Sequence, residues 1–319
     1  MQVGRQEDRV RVFAPGTVAN LGPGYDVLGL AIRGIGDTVE ARRSRHPGVR
    51  VTAIHGDGGV LSLNADENTA GIAATHTLAR AGVDLGVELE VFKGMPIGSG
   101  LGSSAASAAA AAVAVNLLLG NPLRRTDLIP CCVEAEAAVS GRHADNVAPA
   151  LLGGLVLVQG VDDLAIQRLP VPAALQIAVV TPQYALSTKL ARDVLPELVP
   201  LSAMVTNAWR IGTFVSACYS GDLAALATCV RDDIVTPARA RLIPGAPEAM
   251  EAALAAGAIA TSISGAGPSV FAFCHAQRSA QRVATAMIEA FVAAGVEATA
   301  IVSPADCPGA VRVNTDESP

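Results

Sequence analysis

Hydrophobic and polar positions alternate with a period of two over residues 10–13, 37–41 and 49–54, the pattern of half-buried strands. Ala14-Pro15 closes the first of them. After a Gly56-Asp57-Gly58-Gly59 turn, residues 68–81 carry a helical pattern and 86–92 alternate again as a strand. Small residues then take over. Residues 93–104 form a glycine- and serine-rich loop, and an alanine-rich helix follows to Leu119. Beyond Gly120-Asn121-Pro122 the pattern predicts a helix over 126–139 and an apolar strand over 151–159, introduced by Gly153-Gly154. Residues 160–174, with Pro170 and Pro172, read as the crossing between two domains, 1–165 and 166–319.

The second half opens with a strand over 176–180, followed by several helices between 187 and 230. A Pro/Gly loop over 243–247 leads to a helix over 248–256. Strands over 260–263 and 270–274 flank Ser264-Gly-Ala-Gly-Pro-Ser269, and a helix over 277–294 and a strand over 297–302 complete the pattern. There is no internal repeat. This order suits helices layered on a mostly antiparallel sheet, an α+β fold.

Composition sharpens the picture. The 319 residues are 51% hydrophobic but only 3% aromatic and 16% charged, so the apolar mass is aliphatic and disorder is excluded. A net charge of −6, with no basic run longer than Arg42-Arg43, argues against nucleic acid as a partner. The longest apolar run, 105–119, is shorter than the ~20 residues of a membrane span and is broken by Ser107 and Asn116. The first twelve residues are polar and lack a signal-peptide core, so neither membrane nor export is expected. Six cysteines without a C-x-x-C pair suggest neither a disulfide framework nor a zinc site and fit a reducing, cytoplasmic location.

The chemistry concentrates in the loop before the alanine helix. Gly98, Gly100 and Gly102 allow tight turning and close approach to a ligand, and Ser103 and Ser104 are expected to cap the helix. A helix N-terminus presents unpaired N–H groups and the positive end of the dipole, so phosphate binding is the functional reading. A glycine-rich connection without a ligand is the alternative. No Lys follows Gly102, which excludes a Walker A loop. Gly100-Leu-Gly102-Ser-Ser-Ala105 matches a dinucleotide fingerprint, G-x-G-x-x-A. Against it, the loop holding Pro96 is too long, and residues 123–126 carry two Arg where an acidic strand end is required.

Three stretches occur in order: Ala14-Pro-Gly-Thr-Val-Ala-Asn20-Leu-Gly-Pro-Gly24-Tyr-Asp26, Pro96-Ile-Gly-Ser-Gly-Leu-Gly-Ser-Ser-Ala105 and Ser264-Gly-Ala-Gly-Pro-Ser269. On these the chain resembles the GHMP small-molecule kinases. Residues 19–30 and 143–154, Thr188-Lys-Leu-Ala-Arg192 and Arg239-Ala-Arg-Leu-Ile-Pro-Gly245 make it similar to the members that act on L-homoserine. The likeness runs over residues 10–304, with Gly16 where Ala is usual and Tyr25 where Phe is usual. It implies an N-terminal domain like the second domain of ribosomal protein S5, with a left-handed β-α-β unit, and a ferredoxin-like C-terminal domain. It also implies a homodimer that phosphorylates the side-chain hydroxyl of L-homoserine with ATP and Mg²⁺, on the way to threonine.

The resemblance assigns roles residue by residue. Pro96, Ile97, Gly98, Ser99, Gly100, Leu101, Gly102, Ser103 and Ser104 would wrap the triphosphate, with Asn68 and Lys93 on the nucleotide side. Ser104 and Glu136 would hold Mg²⁺. One residue is missing between Glu136 and His143, so Glu134 stands as the alternative ligand. Arg192 and Arg239 suit a carboxylate fork, Asp26 suits an ammonium group, and Thr188 joins the substrate contacts. Asn20, His143, Asp145 and Asn146 would line the hydroxyl end, with Ser104, His143, Asp145 and Asn146 around the reacting atoms. Several relatives carry Asp where this chain has Asn146; an amide cannot take the proton, so direct attack by the hydroxyl is expected. Residues 265–269 are expected to pack against the phosphate loop. Another GHMP kinase, for shikimate or mevalonate, and a silent metabolite-binding relative remain the alternatives.

Overall fold

The computed structural model describes residues 8–160 and 165–314; the first seven residues of the polar start lie outside them. Strands β1 (Arg9–Ala19) and β2 (Leu28–Ser44) pair antiparallel along most of their length. Strand β3 (Val49–His55), helix α1 (Thr69–Ala81) and strand β4 (Gly86–Phe92) form a β-α-β unit whose strands are parallel. Helix α2 (Ser103–Leu118) follows the phosphate-loop candidate, and a 3₁₀ turn leads into α3 (Ile129–Ala137). Helix α4 (Val147–Leu152) and strands β5 (Leu155–Gln159) and β6 (Ala165–Leu169) complete this half.

The second half comprises β7 (Gln176–Pro182), α5 (Thr188–Asp193), α6 (Leu201–Ser220), α7 (Leu223–Cys229), α8 (Val235–Ala240) and α9 (Ala246–Ala255). Strands β8 (Ala260–Ile263) and β9 (Val270–Cys274), helix α10 (Gln277–Ala293) and strands β10 (Ala298–Pro304) and β11 (Val311–Val313) follow. Two sheets result. One has seven strands, ordered β11-β1-β2-β4-β3 with β5 on β2 and β6 on β5; the other is a four-stranded antiparallel sheet, β10-β7-β9-β8.

Several element boundaries differ from the pattern. Strand β1 continues through Pro15 to Ala19, because the register shifts between Pro15 and Thr17 and a bulge absorbs the missing N–H. The apolar run over 151–159 is not one strand. Its first two residues end α4, and Gly153 and Gly154, both at positive φ, turn the chain into β5. The crossing over 160–174 contains β6, hydrogen-bonded to β5. No helix among the described residues is long and apolar enough to cross a membrane.

Helix α2 explains the aliphatic composition. Thirteen of its residues are buried, including the run Ala105–Ala112, so it is apolar nearly all round, as a helix enclosed by protein must be. Its methyl-sized side chains let it lie close against α1 on one side and β1 and β2 on the other. That contact fixes where its N-terminus emerges. All six cysteines are buried and unpaired.

Candidate active site

The loop ahead of α2 is tethered from behind. Thr17 N–H donates to Leu101 O at 2.9 Å, Ser264 Oγ to Gly100 O at 2.7 Å and Ser269 Oγ to Ser99 O at 2.6 Å. Three successive carbonyls thus point away from the cleft. Among the described residues, no group accepts from the backbone N–H groups of Gly100 to Ser104. Such a row of unpaired N–H groups at a helix N-terminus is an anion cradle. The glycines are required: a Cβ on Gly100 would lie 2.5 Å from Gly267 O, and one on Gly102 2.1 Å from Thr17 Oγ1, both at positive φ.

The expected serine cap is absent. Gly102 itself occupies the N-cap position in the left-handed region and makes no side-chain cap. Ser103 Oγ donates instead to Asp37 Oδ2 at 3.0 Å, so its hydroxyl is spent on β2 rather than on the helix amides.

The cradle opens into a cavity of ≈ 360 Å³. At its far end Asp26 pairs with Arg192 at 3.3 Å, and the guanidinium groups of Arg192 and Arg239 lie 5.8 Å and 5.2 Å from the centre of the Tyr25 ring. Arg239 is 2% exposed and donates to Ala191 O at 2.9 Å and Gly265 O at 2.8 Å. Burial lowers its pKa, against the pull of Tyr25 and Asp26. Burial and the charge of Asp26 raise that of Tyr25. Asn20 holds this corner together, accepting from Asp26 N–H at 3.1 Å and donating to Gly265 O at 3.0 Å. Asn20, Leu21 and Asp26 all adopt left-handed backbone, a strain that costs of order 1–3 kcal/mol each and is found mainly at functional sites.

Between cradle and charge cluster lie Glu136, His143 and Asn146. Glu136 is buried; Ser140 donates to its Oε2 at 2.8 Å, while Oε1 has no partner. Burial raises its pKa, with the nearby Ser104 and Ser140 hydroxyls pulling the other way. Glu134, two residues earlier, points outward to Arg142 at 2.6 Å. His143 donates Nε2–H to Ser140 O at 3.2 Å, and its Nδ1 lies 3.3 Å from Asp145 Oδ1, an ion-pair contact without hydrogen-bond alignment. Burial alone would lower the His143 pKa, but the Asp145, Glu136 and Asp26 carboxylates outweigh it and hold the value at about 9. Asn146 Oδ1 accepts from Thr17 Oγ1 at 2.7 Å.

Asn20, Asp26, Asn68, Lys93, Ile97, Gly98, Ser99, Gly100, Gly102, Ser103, Ser104, Glu136, His143, Asn146, Thr188, Arg192 and Arg239 all line this one cavity. Pro96, Leu101 and Asp145 do not. Leu101 is buried in the core, Pro96 lines a neighbouring cavity, and Asp145 sits behind His143. Asn68 caps α1 by accepting from Ala70 N–H at 3.0 Å and donates to Ser62 O at 3.0 Å, which leaves one N–H and one lone pair for a ligand. Lys93 is paired with buried Asp37. Sequence reasoning missed Asp37 and Thr17, whose partners lie far along the chain, and Ser140, whose partners Glu136 and His143 are near in sequence but form no pattern that marks it.

Fold and cleft together define a GHMP kinase. Residues 68–154 match the GHMP kinases N terminal domain family and residues 214–293 the GHMP kinases C terminal family. A homoserine kinase of Xylella fastidiosa (strain 9a5c) is 42% identical over 306 residues, covering 95% of this chain and 93% of the relative. That of Arabidopsis thaliana is 43% identical over 314 residues, covering 96% and 85%. The crystal structure of homoserine kinase from Cytophaga hutchinsonii superposes with a TM-score of 0.95 at 42% identity, covering 98% of this chain and 100% of that one. The structure of L. major mevalonate kinase shares the fold at a TM-score of 0.70 and 15% identity, with 92% of this chain and 97% of that one covered. The chain belongs to the homoserine kinase family.

Proposed function

We propose that the chain transfers the γ-phosphoryl group of ATP to the side-chain hydroxyl of L-homoserine, giving ADP and O-phospho-L-homoserine for threonine synthesis. One observation carries this reading: a single cavity joins the amide cradle at Gly100 to Ser104 to the opposed charges of Asp26, Arg192 and Arg239. The cradle matches a polyphosphate. The far end matches a zwitterion, with Asp26 for the α-ammonium and the two guanidinium groups for the α-carboxylate. Shikimate and mevalonate carry no ammonium group for Asp26.

Phosphoryl transfer asks the protein mainly for positioning and charge neutralisation. The loop amides would hold the β- and γ-phosphates, with their carbonyls fixed behind so that the donors need no reorganisation. Asn146, its Oδ1 occupied by Thr17, offers its N–H₂ to the oxygens around the reaction centre. His143, cationic below about pH 9, adds positive charge there and cannot serve as the base at neutral pH. These features support direct attack by the substrate hydroxyl on the γ-phosphorus as the bond to the ADP oxygen breaks, the hydroxyl proton passing to a phosphoryl oxygen and then to solvent.

Mg²⁺ fits the residues present. Glu136 presents a buried carboxylate oxygen with no partner, and the Ser104 hydroxyl lies beside it. Glu136 and Ser104 would hold the ion, which when bound neutralises charge on the phosphate oxygens; Glu134, engaged by Arg142, would not. We extend the reading to a cytoplasmic homodimer, and the six buried free thiols suit a reducing compartment.

The test is a substrate panel of L-homoserine, L-serine, shikimate and mevalonate with coupled ADP detection. L-Homoserine is expected to be turned over at least about tenfold more efficiently than the others. Absence of turnover with L-homoserine would overturn the proposal.

A further inference from the structure

Beneath the phosphate loop lies a charged cluster that the reaction itself does not call on. Asp37, in β2, is fully buried, and the Lys93 side chain beside it is 3% exposed. Lys93 Nζ donates to Asp37 Oδ2, to Ser107 Oγ at 2.7 Å and to Ser103 O at 3.2 Å. Asp37 also accepts from Ser103 Oγ at 3.0 Å, Ser107 Oγ at 2.8 Å and Gly94 N–H at 3.0 Å. One carboxylate therefore ties together the entrance of the loop at Gly94, the first residue of α2 and the residue one turn further on.

Energetics make this arrangement unusual. A buried ion pair gains little over apolar packing, because desolvation of both charges offsets their attraction. Apolar residues would fill the space between β2 and α2 as well, and α2 is otherwise packed with alanines. The two charges make sense as a device for fixing direction. Hydrogen bonds orient Ser103, whose backbone N–H belongs to the unpaired row, in a way that methyl groups cannot.

We propose that Asp37 is a positioning residue for phosphoryl transfer: through Lys93, Ser103 and Ser107 it sets the orientation of the amide cradle from behind. The proposal rests on the kinase reading above. It places no contact between Asp37 and the nucleotide. Lys93, although it reaches the cavity wall, acts here as the counter-charge to the buried Asp37 carboxylate.

The experiment compares wild type with Asp37→Asn, which keeps the shape of the side chain and removes its charge. Steady-state kinetics and amide hydrogen exchange over residues 98–106 are measured together. The KM for ATP is expected to rise at least about tenfold while that for L-homoserine stays within about twofold, since only the nucleotide half of the site depends on the cradle. Exchange at Ser103 to Ala106 is expected to quicken with ADP bound, and Asp37→Glu is expected to recover part of the loss. Wild-type values of KM for ATP, kcat and exchange, whether or not thermal stability drops, would overturn the proposal and leave Asp37 a purely structural residue. If Asp37→Asn does not fold, Ser107→Ala carries the test: it keeps the ion pair and cuts one tie, and an unchanged KM for ATP with unchanged exchange would equally overturn the idea. The exchange measurement with ADP needs no turnover, so an inactive wild type would sink the kinase reading while unchanged exchange in Asp37→Asn would still overturn the role of Asp37.

Discussion

His143 carries the sharpest consequence of local electrostatics. Three carboxylates raise its pKa from 6.5 to about 9, even though burial works the other way. A raised folded-state value stabilises the fold fully below pH 6.5, and that contribution is lost as pH rises through about 9. Activity is expected to follow the same group. The kcat/KM of the wild type is expected to fall above pH 9 by about tenfold per unit, and His143→Gln is expected to abolish that limb while lowering the plateau. A pH–rate profile that stays flat to pH 10 would show that the imidazolium contributes nothing. The neighbouring carboxylates illustrate how narrow the information in a local pattern is. Glu134 and Glu136 lie two positions apart on α3, so they face different ways, and chain spacing cannot say which one faces the cleft.

The loop and α2 behave as a unit, and it was the most legible part of the chain. Its glycine spacing is a local requirement: each of Gly98, Gly100 and Gly102 sits at positive φ, and two have backbone or side-chain atoms closer than a Cβ permits. Gly102→Ala is therefore expected to fold but to displace Asn146 and Thr17, lowering kcat/KM by at least about a hundredfold; near-normal kinetics would show that the loop tolerates a different path. The expected serine cap is absent at the same place. Ser103 has the right chemistry for a cap, but Asp37, 66 residues away in sequence, takes its hydroxyl. Helix α1, by contrast, starts and stops where local chemistry says it should, with Asn68 as N-cap and Gly82 at the left-handed C-terminal position.

Across the molecule, the two sheets meet at the cleft. Ser264 and Ser269, between β8 and β9, hold the carbonyls of Gly100 and Ser99, while Gly265 O receives both Asn20 and Arg239. Nucleotide binding should therefore stabilise the whole chain rather than one half. At about a hundredfold excess over Kd, Mg·ADP is expected to contribute about 2.7 kcal/mol and raise Tm by several degrees in one cooperative transition. NAD⁺ is expected to leave Tm unchanged, and a shift with NAD⁺ alone would revive the dinucleotide reading of the glycine loop.

Chain order alone carried the aliphatic core, most strands and helices, the anion loop and a set of candidate residues that share one cavity. The first three follow from periodicity, steric demand and local hydrogen bonding, which act over a few residues and leave a mark on neighbouring letters, whereas the candidate residues came from the resemblance to the GHMP kinases. Tertiary structure decided the rest: Glu136 inward and Glu134 outward, Asp145 behind His143, Leu101 in the core, and Asp37 under the loop. Each depends on which distant groups close packing brings together, and a buried charge or hydroxyl takes its role from the partner it meets there.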